Sequence, residues 1–240
     1  IRKGTPWQQA RFAAYAQGSW GNGGAMRAHV AALWVAAGDA AACTALARAQ
    51  AAVTHAHPLA QDGAALIAAA ARSALALNAI NFDAISWWHS VIRDADLQET
   101  QSWQPRLAQA LAWLQAGATP TPDEVAATLG NGISALDSCV TALYVAARFV
   151  PQDFASLIDF VQRMGGDTDT IAAMAGGIYG AARGLAALPC SAIAPLQDAK
   201  LLHSLAWQLA ERLSSPSAHA SQCSCPRASG SALACWPPTA

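Results

Sequence analysis

Charge is what this sequence has least of. Of 240 residues only 12% are Asp, Glu, Lys or Arg, 15 acidic against 14 basic, for a net charge of −1 at neutral pH. So balanced a chain has no electrostatic footing for nucleic acid or for an anionic membrane surface. Uncharged runs long enough to span a bilayer are missing too, because Asp39, Arg72 and Arg183 fall where a spanning helix carries no charge. No Cys-x-x-Cys pair and no signal peptide is found, so a reducing cytoplasm is the expected setting. Nor is there an initiating methionine. The chain opens at Ile1, as a piece of something longer does.

What is abundant is alanine. Hydrophobic residues make up 54% of the chain, and alanine favours helix over sheet. The length is enough for a real core in one or two domains. Six cysteines stand at 43, 139, 190, 223, 225 and 235. The first three sit singly on helical patterns and read as small buried hydrophobes. From Ser214 to Ala240 the chain turns to serine, proline and cysteine without periodicity, a tail unrelated to the fold such as a shifted reading frame produces. Cys223 and Cys225 offer soft ligands there, but not the four well-spaced ones a zinc site needs.

Local signals predict an all-α fold. Trp7, Phe12 and Tyr15 belong to a short helix within 4–17, and further helices are expected over 28–37 with a stop near Gly38, 39–53, 59–77, 138–148, 153–164 and 196–213. Thr121-Pro122-Asp123-Glu124 is a capping box, which accounts for the adjacent carboxylates without a catalytic role. Between Asn78 and Gly117 the pattern says least. Phe82, Ile85, Trp87 and Trp88 read as core, and the charges from Arg93 to Glu99 as a solvated link. His55 and His57, two apart before Pro58, lack the third and fourth ligands of a zinc site and read as caps or loop residues.

Two loops carry chemistry. Gly18-Ser19-Trp20-Gly21-Asn22-Gly23-Gly24 opens into a helix, exposing backbone amides that suit a phosphate; a plain glycine turn is the alternative. Gly165 to Gly184, GGDTDTIAAMAGGIYGAARG, is a loop feeding a helix. Ile171, Met174, Ala175, Ile178, Tyr179 and Ala182 recur at the spacing of a buried face, while Ala173, Gly177, Gly180 and Gly184 form a stripe so small that a neighbour must approach it closely. Asp167 and Asp169 with Thr168 and Thr170 either cap that helix or supply hard oxygens to a magnesium-like or manganese-like ion.

That segment closely resembles the GGDTDTIAxMAGxIxGAxxG signature of the ADP-ribosylglycohydrolase family. The resemblance implies a compact, orthogonal all-α bundle over residues 1–213 and hydrolysis of the bond joining ADP-ribose to a protein side chain or a small acceptor. It also implies a two-metal magnesium or manganese centre, with Asp167 and Asp169 catalytic and Asp167, Asp169 and Thr170 as ligands. Gly18-Ser19-Trp20-Gly21-Asn22-Gly23 matches the family's GxxGNGxxMR element, implying contact with the diphosphate and ribose and, for Trp20, aromatic contact with the nucleotide. His55, in a THxHP element, is implied to reach a phosphate. LGNGISALDS resembles LGNGxxAxES, so Asn131, Gly132 and Ile133 are implied to border the adenosine half, with Asp137 where the family has glutamate. The GSWGNGG and LGNGIS elements lean toward the serine and O-acetyl-ADP-ribose branch.

The family's acidic TDDT motif has no counterpart: no Thr-Asp-Asp run occurs anywhere in the chain. Weak metal binding and poor hydrolysis are therefore expected of this polypeptide. A silent ADP-ribose binder or a structural relative, such as the J1-type crystallins of the family, are the other readings. A cytoplasmic monomer is expected.

Overall fold

In the computed structural model, which describes residues 4–35, 39–77 and 81–214, every regular element is a helix. In chain order these are α1 (Trp7–Ala10), α2 (Gly23–Met26), α3 (His29–Trp34), α4 (Ala40–Ala52), α5 (Pro58–Leu75), α6 (Ala84–Ala95), α7 (Thr100–Gln115), α8 (Pro122–Leu129), α9 (Ala135–Phe149), α10 (Phe154–Met164), α11 (Thr168–Arg183), α12 (Cys190–Ile193) and α13 (Ala199–Ser214). The expected all-α bundle is what forms. The chain divides into two units, Ile1–Leu196 and Gln197–Ala240; α13 belongs to the second and everything below concerns the first. Gly38, Asn78 and, apart from Ser214, the expected tail with Cys223, Cys225 and Cys235 lie outside the described residues.

Helices α4, α5, α6, α8, α9 and α10 start where a side chain satisfies a free amide of the first turn. Asp39 accepts from Ala42 N at 2.8 Å, Asp153 from Ser156 N at 2.9 Å and Ser134 from Asp137 N at 3.1 Å. Thr121 and Glu124 form the reciprocal capping box read from the sequence. His57 is also a cap: its Nδ1 accepts from Leu59 N at 3.2 Å, with Pro58 in the first turn.

Three expectations fail locally. The helix within 4–17 is only four residues long and leaves Phe12 and Tyr15 outside it. The helix expected over 28–37 is α3 alone, His29–Trp34, and the short α2 precedes it within the glycine-rich element. Cys43 and Cys139 are buried as expected, but Cys190 is exposed.

Helix α5 is central, packing against α2, α3, α4, α6, α9 and α11. Its alanines and Gly63 permit that: a Cβ at Gly63 would lie 2.9 Å from Cys139 Sγ on α9. Helices come this close only when the side chains between them are small. Trp87, Trp88, Trp103, Tyr144 and Leu143 fill the wider spaces around it.

One buried charge sits in this apolar helix. Asp62 is 0% exposed. It pairs with Arg48 Nη1 at 2.6 Å and accepts from Gln98 N at 3.1 Å, Glu99 N at 2.8 Å and Trp103 Nε1 at 3.2 Å. The segment read as a solvated link is thus tied inward: Asp96 takes a left-handed turn (φ 46°) and the next amides point at a buried carboxylate. A single Asp in an alanine-rich run has no sequence signal for this, because its partners lie 14 to 41 positions away.

Candidate functional site

The sequence motifs are pinned to one another by backbone hydrogen bonds. Asn22 N donates to Ile133 O at 3.0 Å and Ala135 N to Trp20 O at 3.0 Å, flanking an isolated antiparallel bridge between Gly21 and Ser134. Asp167 N donates to Asn131 O at 2.8 Å, and His57 N to Ser19 O at 3.3 Å. The glycine loop, the His55–His57 break, the Asn131–Ser134 turn and the start of α11 therefore form one contiguous surface.

Glycine is required at two of these joints. Gly18 has φ +83°, and a Cβ there would lie 2.7 Å from both Ala56 Cβ and His57 N. Gly166 has φ +72°, and its Cβ would lie 2.2 Å from Asn131 O. Both positive φ and close backbone approach select against any side chain.

Asn22 joins the two chemical loops. Its side chain is 7% exposed, and Nδ2 donates to Asp167 Oδ2 at 2.6 Å and to Ser138 Oγ at 3.0 Å. Ser138 in turn donates to Ser134 O at 2.8 Å. Asp167 occupies the N-cap position of α11, yet its side chain makes no capping hydrogen bond. Its Oδ1 accepts from Thr170 Oγ1 at 3.1 Å instead. The capping reading of Asp167 is thereby excluded. Asp169 is exposed, with Oδ1 accepting from Thr170 N at 2.9 Å, and Thr170 is buried.

Around them, Trp20 stands 56% exposed with its indole tilted against His57, ring centroids 5.7 Å apart. Ser19 Oγ accepts from Gly21 N at 3.3 Å. The imidazole edge of His55 overhangs the loop so closely that a Cβ on Gly23 would lie 3.1 Å from Nε2. Ile133 is exposed, and Gly132 faces the Asp137 carboxylate. Asp137 accepts from Ser134 Oγ at 2.7 Å and pairs with Arg106 at 2.8 Å. A groove of about 390 Å³ between Trp7, Arg11, Tyr15, Ser19, Val53 and Thr54 opens beside the loop.

The small-residue stripe of α11 is explained at one position. His29 of α3 lies against Gly177, where a Cβ would sit 2.4 Å from Nε2, and that nitrogen is 3.0 Å from Met174 O. Gly180 and Gly184 have no neighbour within 4 Å of a Cβ. Gly184 instead ends the helix at φ +73°. Burial holds the His29 pKa below its ordinary 6.5. A histidine depressed in this way binds fewer protons folded than unfolded, so stability falls as pH drops below about 6.5. His55, lowered by desolvation and by Arg27, adds in the same direction. The urea midpoint is therefore expected to be lower at about pH 5 than at about pH 8, and the difference to shrink in His29→Gln, whose amide can still donate to Met174 O. An unchanged difference would place the titrating group elsewhere.

The acidic loop does not by itself suit a two-metal centre. Both Asp167 oxygens and one of Asp169 are engaged within the protein, and among the described residues no group of three or more His, Cys, Asp or Glu is placed to hold a metal ion. A hard divalent ion takes about six oxygen ligands, and the positive end of α11 opposes it further.

Glycine loop, asparagine turn and acidic helix start thus meet on one surface of an all-α bundle, and the chain belongs to the ADP-ribosylglycohydrolase family, whose profile matches residues 1–219. Individual relatives include ADP-ribosylhydrolase ARH3 of Homo sapiens, 35% identical over 204 residues, covering 76% of this chain and 55% of that protein. ARH3 of Danio rerio is 35% identical over 204 residues, covering 76% and 54%. An uncharacterized protein of Archaeoglobus fulgidus is 30% identical over 159 residues, covering 66% and 48%. The chain thus spans about half the length of the curated relatives it matches.

Sequence reading missed Arg27 and Thr54 as members of the site, and Ser138. Each lay inside a quoted element, Arg27 in GxxGNGxxMR, Thr54 in THxHP and Ser138 in LGNGISALDS, without being singled out.

Proposed function

We propose that this chain supplies the ADP-ribose-binding wall of an ADP-ribosylglycohydrolase, which breaks the glycosidic bond between the distal ribose of ADP-ribose and a protein side chain or small acceptor. The supporting observation is the 2.6 Å hydrogen bond from Asn22 to Asp167, which joins the amide-rich loop and the acidic loop across 145 positions. With Gly21 N held by Ser19 Oγ and Asn22 N by Ile133 O, the amides of Gly23 and Gly24 are the ones left to suit a diphosphate, in a loop that Ser19 and Gly18 shape. The exposed Trp20 face suits a nucleotide ring, and Asn131, Gly132 and Ile133 border the adenosine side. Asp167, Asp169 and Thr170 face the reacting ribose as the carboxylate wall. The acceptor class follows the serine and O-acetyl-ADP-ribose branch, and the setting is that of a cytoplasmic monomer.

Magnesium or manganese, where the family uses it, polarises ribose hydroxyls and orients water. Two carboxylates cannot neutralise two such ions, and the donor set here is incomplete. We therefore read the 240-residue chain as an ADP-ribose binder with impaired hydrolysis. Isothermal titration tests this: ADP-ribose binds without added metal, while magnesium or manganese binds weakly and turnover of ADP-ribosyl-serine peptide stays near background. Tight two-site metal binding with turnover would overturn the impaired reading. Absence of ADP-ribose binding would overturn the assignment of the cleft.

A further inference from the structure

We propose that Arg27 and Thr54 are positioning residues that fix the tautomer of His55, keeping its proton on Nε2, the nitrogen that overhangs the glycine loop. The inference rests on reading that loop as the seat of a diphosphate.

The chain of argument starts at Gln50. Its Nε2 donates to two carbonyls, Gly24 O at 2.7 Å and Ala47 O at 3.0 Å. Carbonyls only accept, so the amide orientation is fixed and Oε1 must face Arg27, whose Nε donates to it at 2.8 Å. Two further bonds, Nη1 to Gly23 O at 3.0 Å and Nη2 to Gln50 O at 3.3 Å, leave the guanidinium little freedom. Its Nη2 then meets Thr54 Oγ1 at 2.7 Å. A guanidinium has no acceptor, so Thr54 receives this bond and retains its own hydroxyl hydrogen to give.

That hydrogen has one protein acceptor among the described residues. Thr54 Oγ1 lies 2.7 Å from His55 Nδ1. With Nδ1 accepting, a neutral imidazole carries its proton on Nε2. The opposite tautomer would leave the Thr54 hydrogen without a protein acceptor and turn the Nε2 lone pair toward the loop, where it would repel a phosphate oxygen. Burial first, and then the neighbouring Arg27 charge, oppose a doubly protonated ring and hold the His55 pKa below its ordinary value. His55 thus faces the loop as a neutral N–H donor, held ready before any ligand arrives. A hydrogen bond that is oriented in the free protein avoids part of the ordering cost on binding.

Nitrogen-15 spectra of the labelled full chain read the tautomer directly. In the free protein His55 Nδ1 is expected to resonate as an unprotonated, pyridine-type nitrogen and Nε2 as a protonated, pyrrole-type one. Thr54→Val is expected to give mixed tautomers and to weaken ADP-ribose binding by about fivefold to tenfold. Thr54→Ser restores both the spectrum and the affinity, which a role confined to packing of the threonine methyl would not predict. A protonated Nδ1 in the wild type, or a Thr54→Val spectrum identical to it, overturns the proposal. Because the spectra are recorded without ligand, they remain decisive if ADP-ribose fails to bind, an outcome that would instead remove the reading of the loop.

Discussion

Asp62→Ala is expected to lose about 3–5 kcal/mol of stability, the usual consequence of removing one partner from a buried ion pair. The carboxylate is 0% exposed, and its loss strands more than Arg48. The amides of Gln98 and Glu99 and the Trp103 indole N–H lose their acceptor as well. A buried donor left unsatisfied costs about 1–3 kcal/mol, and a domain of this kind holds only about 5–15 kcal/mol in total. Asp62→Asn keeps the volume and one oxygen but turns an NH2 toward groups that can only donate, so it is expected to fall between wild type and alanine. Urea unfolding ranks the three proteins. Native-state hydrogen exchange should show the amides of residues 98 and 99 opening first in both variants. A wild-type midpoint in Asp62→Ala would mean that the start of α7 is held by its packing alone.

Gly166→Ala is expected to remove ADP-ribose binding along with roughly 2–4 kcal/mol of stability. Two effects add. At φ +72° an alanine is strained, and its Cβ would lie 2.2 Å from Asn131 O, the acceptor of Asp167 N. Relieving that overlap pushes the Asn131 turn away from the acidic loop and pulls the Asn22–Asp167 bond with it. Gly165→Ala is the control. It also has positive φ, but its Cβ meets nothing within 4 Å, so it should cost only the backbone strain of about 1–3 kcal/mol and leave ADP-ribose affinity largely intact. Titration calorimetry on the two variants separates the outcomes. Equal affinities would show that the contact between the loops is not what shapes the site.

Much of the fold was legible because helix signals are local. Asp39, His57, Thr121, Ser134 and Asp153 each cap the helix that follows within three residues, so the cap and its partner share one short window of sequence. The stretch from Asn78 to Gly117 was opaque for the same reason. Its second helix carries Pro105 in its interior and starts at Glu99, which makes no side-chain cap. What holds that start is Asp62, 37 positions earlier. The stripe on α11 predicted a close neighbour, and His29 is one, but nothing in Ala173, Gly177, Gly180 or Gly184 says which residue comes or at which of the four it arrives.

By itself the sequence determined the all-α class, most of the long helices outside 78–117, the family, and the identities of the residues in each loop, because periodicity, caps and glycine-rich turns are written in neighbouring positions. Only the tertiary structure decided that Asp167 turns from its helix to Asn22, that Asp62 is a clamp rather than a surface charge, and that Gln50, Arg27 and Thr54 dictate the proton on His55. The physical reason is one of range. A side chain with two acceptable partners, one local and one 145 positions distant, takes whichever the packed core brings within hydrogen-bonding distance, and that packing leaves no trace in any short window of the chain.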